Sequence, residues 1–197
     1  MTSEGTKHGP KRNKGFDATH DLIVTAAASL ISQKGVDALS MAAVARAVGI
    51  NRTTLYYHFD DREALLAAVK SWSSEQLGRG FSPQAPQRDR IDHITRFVLE
   101  NAEVIKLWLD DFISPGNIRE RYPHWEKLID GMANKSGMPE DDVIDPEVYC
   151  TILLTAAFIA PRVYHQSVRP DLSPEAVIEK FRHEHQRTLR RDGMSSE

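Results

Sequence analysis

The run Ser40 to Phe59, SMAAVARAVGINRTTLYYHF, constrains this chain more than any other stretch. Ser40 reads as an N-cap, because its hydroxyl accepts from a backbone N–H left unpaired in a first helical turn. Met41, Val44, Ala45 and Val48 follow at i, i+3, i+4 and i+7, one apolar face of a two-turn helix. Gly49 falls just past the last turn, where a positive φ is needed. Ile50 plugs the turn, and Asn51 caps the next helix. In that helix only Leu55 and Phe59 are clearly apolar, on one side. Arg52, Thr53, Thr54, Tyr56, Tyr57 and His58 are left mostly on the other faces. So short a helix is unstable alone. Two anchors and a neighbour must hold it, which leaves its polar face free to enter a groove. Two short helices about such a turn make sequence-specific binding of duplex DNA the leading expectation.

The flanks agree. Ile23, Ala26, Ala27, Leu30 and Ile31 predict an amphipathic helix ended by Gly35. Asp60 reads as a third N-cap with Glu63 at N3, close to a capping box. Ala64, Leu65, Leu66 and Val69 continue that apolar face. Three helices and a long fourth make a domain of about 60 residues, near the lower limit for a self-supporting core. The run IVTAAASLISQKGVDALSMAAVARAVGINRTTLYYHFDDREALLAAV, residues 23–69, resembles the N-terminal domain of TetR-family transcriptional regulators. The TLYYHF core behind a Gly-capped helix is its most specific part. The run departs from the family pattern at Ile31 (usually Phe), Val44 (usually Ile) and Val48-Gly49-Ile50 (usually Ala-Gly-Val). Arg62 stands where Lys is common.

The resemblance implies that Arg52 to His58 is the recognition helix. Arg52 is suited to bridge O6 and N7 of a guanine, or to meet a phosphate instead. Thr53 and Thr54 are placed for phosphate or a thymine methyl. Tyr56 and Tyr57 are placed for phosphate, sugar or methyl contacts, with packing inside the domain the alternative for Tyr56. His58 is assigned to phosphate, Phe59 to the core, and Asn51 to the cap at the edge of the interface. Ser40 can cap and donate to phosphate together, at a helix N-terminus that favours anions. Arg62 is assigned to clamp a flanking phosphate.

Residues 1–16 carry Lys7, Lys11, Arg12 and Lys14 against one acid, Glu4, with three glycines and a proline. This composition predicts a disordered basic arm. Lys11, Arg12 and Lys14 are its candidate DNA contacts, along phosphates or in the minor groove; a solubilising tail is the alternative. Net charge over the 197 residues is −3, but it is uneven. Residues 1–60 hold seven basic and five acidic side chains, whereas residues 61–197 hold 18 and 23. A basic head on an acidic body suits a DNA reader joined to a regulatory body rather than a coat protein. A single cysteine, Cys150, excludes an intrachain disulfide. The polar N-terminus reads as no signal peptide. The longest apolar run, Ile152 to Pro161, is about half the ~20 residues of a membrane helix. A cytoplasmic protein with no membrane partner is expected.

Residues 78–87, with two Gly and two Pro, read as a loop between a head at 17–77 and a body at 88–197. Helical spacing runs from Ile91 to Phe112, up to the breaker Ser114-Pro115-Gly116-Asn117. A further face, Trp125, Leu128, Ile129 and Met132, follows before a break at Gly137-Met138-Pro139. Asp145-Pro146-Glu147 and Ser173-Pro174-Glu175 each place a cap, a first-turn proline and an acid at a helix start. The helix opened by the first is apolar on most faces, more than one neighbour can bury. No strand signal appears, so the expected fold is all-α, with about nine helices.

The resemblance also implies a homodimer through the last two helices, about 146–168 and 174–191. Two recognition helices related by a two-fold axis then read a near-palindromic operator in double-stranded DNA. It implies a small organic effector bound in the body that lowers DNA affinity. Trp108, Phe112, Trp125, Tyr149, Phe158, Tyr164 and His165 are the candidate effector contacts, each with plain core packing as the alternative. Pro161 is expected to kink its helix near 157–160, which favours Phe158 and Tyr164. His183-Glu184-His185 is not a metal motif, since i and i+2 diverge on a helix. No metal, cofactor or catalytic constellation is read. The leading function is a ligand-released repressor. An activator with the same head, or an all-α enzyme or carrier, are the alternatives.

Overall fold

The computed structural model describes residues 14–80, 85–121, 125–126, 129–130 and 145–192. Nine helices and no strand are found among these residues, in line with the all-α expectation. Backbone contacts divide the chain into two units, one up to Val69 and one from Lys70.

In the first unit, α1 spans Lys14–Lys34, and a 3₁₀ turn, Val36–Ala38, leads into α2, Met41–Val48. Then come α3, Arg52–His58, and α4, Arg62–Arg79, which runs through the unit boundary. Ser40 Oγ accepts from the N–H of Ala43 at 3.2 Å, and Asn51 Oδ1 from that of Thr54 at 2.7 Å. Gly49 has φ 76° and ψ 28°, a left-handed conformation that a Cβ would strain. α1 packs on α2, and α2 on α3. Ile23, Ala27, Ile31, Val44, Leu55 and Phe59 are among the residues buried here.

Two expectations for this unit need correction. The basic arm was expected to run to Phe16, but residues 14–16 are the first turn of α1. The physical reason is that Phe16 has a packing partner, described below. The cap of α4 is Asp61, whose carboxylate accepts from the N–H of Ala64 at 2.8 Å, not Asp60. That puts Glu63 at N2, so the expected capping box is absent.

The second unit contains α5, Gln87–Glu100, α6, Ala102–Ile113, and the short α7, Ile118–Arg121. It ends with α8, Pro146–Val163, followed by a π turn at Tyr164–Val168, and α9, Pro174–Arg191. The helical spacing read from Ile91 to Phe112 is interrupted at Asn101 (φ −120°, ψ 42°). The Asn101 side-chain amide there donates to the Phe97 carbonyl at 3.0 Å, beside the backbone N–H of the same residue at 2.9 Å. The helix starts at Asp145 and Ser173 are capped as their sequences predict. α5 packs on both α8 and α9. Its buried residues Ile94, Phe97 and Val98 share one cluster with Leu77, Ile105, Trp108, Trp125, Cys150, Leu154 and Phe158. Burial pushes the Cys150 thiol up to about 11. A smaller cluster joins Leu99 to Val177 and Ile178. Arg182 on α9 donates to Asp92 on α5 at 2.6 Å, with both side chains mostly covered.

α8 continues through Pro161 to Val163, and the irregularity expected at 157–160 lies beyond the proline, in the π turn. There the Arg169 N–H reaches the Tyr164 carbonyl at 2.7 Å. Together α8 and the π turn make 23 helical residues, of which an 18-residue window has a mean hydropathy of 1.2, long and apolar enough by length and composition to cross a membrane. The sequence run from 152 to 161 understates this, because Thr151, Thr155 and Pro161 interrupt it. Val148, Ile152, Ile159 and Val163 form a stripe along α8 with exposures of 55, 59, 43 and 49 %.

Candidate DNA-binding site

α3 is held from one side and left open on the other. Leu55 is fully buried and Phe59, just past the helix, is 5 % exposed. Arg52, Thr53, Tyr56 and Tyr57 are exposed, Tyr57 at 76 %. An exposed tyrosine pair beside an arginine is an unusual surface for a helix that only packs, and it offers a guanidinium and two phenols to a partner.

The other assigned residues fall into three groups. Ser40 is exposed and uses its oxygen lone pair for the cap, which leaves its O–H able to donate. Asn51 and Thr54 serve each other: Asn51 Oδ1 also accepts from the Thr54 hydroxyl at 2.9 Å, so Thr54 is half-buried and turned toward its cap. Arg62 points inward. Its Nε and Nη2 donate to the carbonyls of Leu39 at 2.9 Å and Val36 at 3.0 Å, and Nη1 pairs with Glu63. Its side chain thereby fastens α4 to the turn between α1 and α2, which corrects the expectation of an outward phosphate clamp.

His58 also turns inward. Its ring stacks on Phe16 with centroids 4.3 Å apart, and its Nδ1 is buried with no hydrogen-bond partner among the described residues. Burial, then the nearby charge of His20, lowers its pKa below the usual histidine value. Phe16 and His20 were absent from the sequence-derived candidates. Their signal was the spacing of residues 16 and 20, continuing the face of Ile23, Val24 and Ala27 by one more turn. Lys11 and Arg12 lie outside the described residues, and Lys14 opens α1.

The candidate effector residues are dispersed over the second unit. Trp108, Trp125 and Phe158 are buried in its main cluster, with Trp108 4.5 Å from Phe158 and 4.8 Å from Phe112, centroid to centroid. Trp125 leaves its buried indole N–H without a partner among the described residues. The Tyr149 hydroxyl donates to Asp192 at 2.8 Å, and this partner together with burial raises its pKa, burial being the larger cause. Tyr164 meets Phe181 edge-on at 5.6 Å, and His165 lies 3.1 Å from the Leu172 carbonyl. An open groove of about 680 Å³ runs along α9; of the seven candidates Tyr164 alone lines it, with Lys180, Phe181 and Glu184 among its neighbours.

A family model described as bacterial regulatory proteins, tetR family, matches residues 23–69. An HTH-type transcriptional regulator of Mycobacterium tuberculosis, Rv1255c, is 41 % identical over 59 residues, 30 % of this chain and 29 % of that protein. The match thus spans under a third of that relative's length. The HTH-type transcriptional repressor Rv3405c, also of M. tuberculosis, is 25 % identical over 132 residues, 67 % of this chain and 68 % of that one. Among solved structures, AibR in complex with isovaleryl coenzyme A and operator DNA aligns with a TM-score of 0.51 at 22 % identity. That alignment covers 84 % of this chain and 96 % of AibR. α2 and α3 thus form a capped helix-turn-helix inside a segment that matches the tetR family of bacterial regulatory proteins, and the wider helical fold is shared with AibR.

Proposed function

We propose that this protein is a cytoplasmic transcriptional repressor. It binds a near-palindromic operator as a homodimer and leaves it when a small organic effector occupies the second unit. The observation that carries the reading is the exposed face of α3, where Arg52, Thr53, Tyr56 and Tyr57 are open to solvent above two buried anchors. Arg52 has the bidentate geometry for guanine, and the phenols and Thr53 suit phosphates and thymine methyls. Ser40 adds a donor at the N-terminus of α2. The basic segment with Lys11 and Arg12 joins the chain two residues before Phe16, whose ring rests on α3. Its cations can add phosphate contacts.

One α3 reads only a few base pairs, so two copies set about 34–36 Å apart, or a multiple of it, are required. The stripe Val148, Ile152, Ile159 and Val163 supports pairing through α8 and α9, because an apolar surface of that length needs a cover. Repression has its support in the relative Rv3405c, and effector control in AibR, whose structure holds both isovaleryl coenzyme A and operator DNA. The Trp125 indole N–H, without a partner among the described residues, is a buried donor that an effector's acceptor oxygen would satisfy. Release requires that the effector bind better to a dimer spacing that misfits the operator.

The test uses labelled duplexes from the DNA flanking the gene, together with a pool of random-sequence duplexes, and the full-length protein. Wild type is expected to retain an inverted repeat. Arg52→Ala and Tyr57→Ala are each expected to weaken it by about tenfold or more, the scale of a lost base or phosphate contact. Unchanged affinity in both variants overturns the reading.

A further inference from the structure

The end of α3 carries an assembly of rings that joins it to α1. Phe16, on the first turn of α1, stacks on His58 at 4.3 Å and meets Tyr57 edge-on at 5.6 Å, with an interplanar angle of 84°. One turn later, His20 stacks on Phe59 at 4.7 Å and lies 6.0 Å from the His58 ring. The Tyr57 and His58 rings are themselves 5.8 Å apart at 82°. Three consecutive residues at the end of α3, Tyr57, His58 and Phe59, are therefore gripped by two side chains spaced one turn apart on α1. Tyr57 is the most exposed aromatic of the recognition helix, and its other constraint is its own short helix.

We infer that Phe16 and His20 are positioning residues for DNA recognition: from α1 they set the orientation of the last turn of α3, and so of Tyr57, without touching the duplex themselves. The inference rests on the reading of α3 as the recognition helix. Edge-on and stacked aromatic pairs have preferred geometries, so the Phe16 ring fixes an angle as well as filling space. A contact group held in place before binding loses less freedom on binding.

The grip is also sensitive to charge. The titratable groups facing the His58 ring, among the described residues, are His20 from α1 and Tyr57 from its own helix. The Nδ1 atoms of His20 and His58 are both buried with no partner among the described residues, so a proton added to the His58 ring at that atom meets no acceptor among them. His58 is held below the usual histidine value by burial and by His20. A depressed folded-state value means that the stabilisation is present above the unfolded value of about 6.5 and is lost as pH falls through the folded one. Added positive charge on its own strengthens attraction to DNA. The grip predicts the opposite sign: affinity falls on acidification.

The experiment uses the full-length chain and a labelled duplex that the wild-type protein has enriched from a random-sequence pool. Four proteins are compared from pH 7.5 to 5.5: wild type, Phe16→Ala, Phe16→Tyr and His20→Phe. Wild type is expected to lose affinity as pH falls. Phe16→Ala is expected to bind about tenfold more weakly at pH 7.5, the scale of two lost aromatic contacts. Phe16→Tyr is expected to restore binding, because the ring returns. His20→Phe keeps a ring on Phe59 but removes the charge facing His58, so its affinity should fall less steeply with acid. A purely structural role for these rings changes melting temperature without changing that slope. Should Phe16→Ala not fold, the His20→Phe slope and the Phe16→Tyr affinity decide. If wild type enriches no duplex, the recognition-helix reading itself fails. If wild type binds while Phe16→Ala binds equally well and His20→Phe keeps the wild-type slope, the positioning role is overturned and the recognition helix stands.

Discussion

The two units expose opposite kinds of surface. On α3, seven residues long, the open side carries a guanidinium, hydroxyls and phenols. On α8, the open side is a row of valines and isoleucines over eighteen residues. Both faces lie open among the described residues, but with different physical consequences. The face of α3 loses little by staying in water, because its groups remain hydrated until a polyanion replaces that water. The face of α8 is unfavourable in water at about 25 cal/mol per Å² and gains by being covered at all times. The contrast separates an occasional contact from a standing one, as the proposed DNA-binding homodimer requires.

The largest effect expected from breaking this contrast is on α8. Ile152→Glu combined with Ile159→Glu places four carboxylates at a two-fold interface, with a cost on the order of 5 kcal/mol. Analytical ultracentrifugation should then find monomers where wild type is dimeric. Circular dichroism should remain helical, because both side chains are exposed within one copy. A wild-type monomer, or an unaltered dimer in the variant, removes α8 as the interface. The second effect is on the anchor of α3. Leu55→Ala, at a fully buried site, should lower stability by about 3 kcal/mol and abolish duplex binding while leaving the dimer intact. Denaturant titration with sedimentation on the same samples checks it; loss of the dimer as well would show that the two surfaces are not independent. The smallest effect compares equivalent caps. Asn51→Ala in the first unit and Ser173→Ala in the second should each cost about 1 kcal/mol. Only the first should weaken duplex binding, since α3 has no length to spare.

The helix-turn-helix was legible in the sequence because its determinants are local. Ser40, Gly49 and Asn51 act on residues within one turn of themselves, and the pair Leu55 and Phe59 is visible by spacing alone. The starts of α8 and α9 were legible for the same reason. What escaped was decided by distant partners or by single-residue competition. Phe16 looked like the end of a flexible arm because its stabilising ring, His58, lies 42 positions later in the chain. Arg62 looked like an outward cation because the carbonyls of Val36 and Leu39 that capture it are invisible as acceptors in a sequence. The Asn101 break competes with strong helical spacing on both sides. Adjacent aspartates made the cap of α4 ambiguous by one position. Among the effector candidates, periodicity marked buried aromatics but could not say whether they meet each other or a guest.

The hydrogen bonds of Asn51 divide α3 into positions that hold and positions that are free to drift. Asn51 and Thr54 are tied to each other, and Leu55 and Phe59 to the core, so changes there are felt as lost stability. Arg52, Thr53 and Tyr56 carry no such duty. A lineage can therefore exchange them, and thereby change which base pairs it answers to, while the head folds as before. On the proposed reading of α3, retargeting to a new operator is correspondingly a matter of three side chains on one scaffold rather than of a new scaffold.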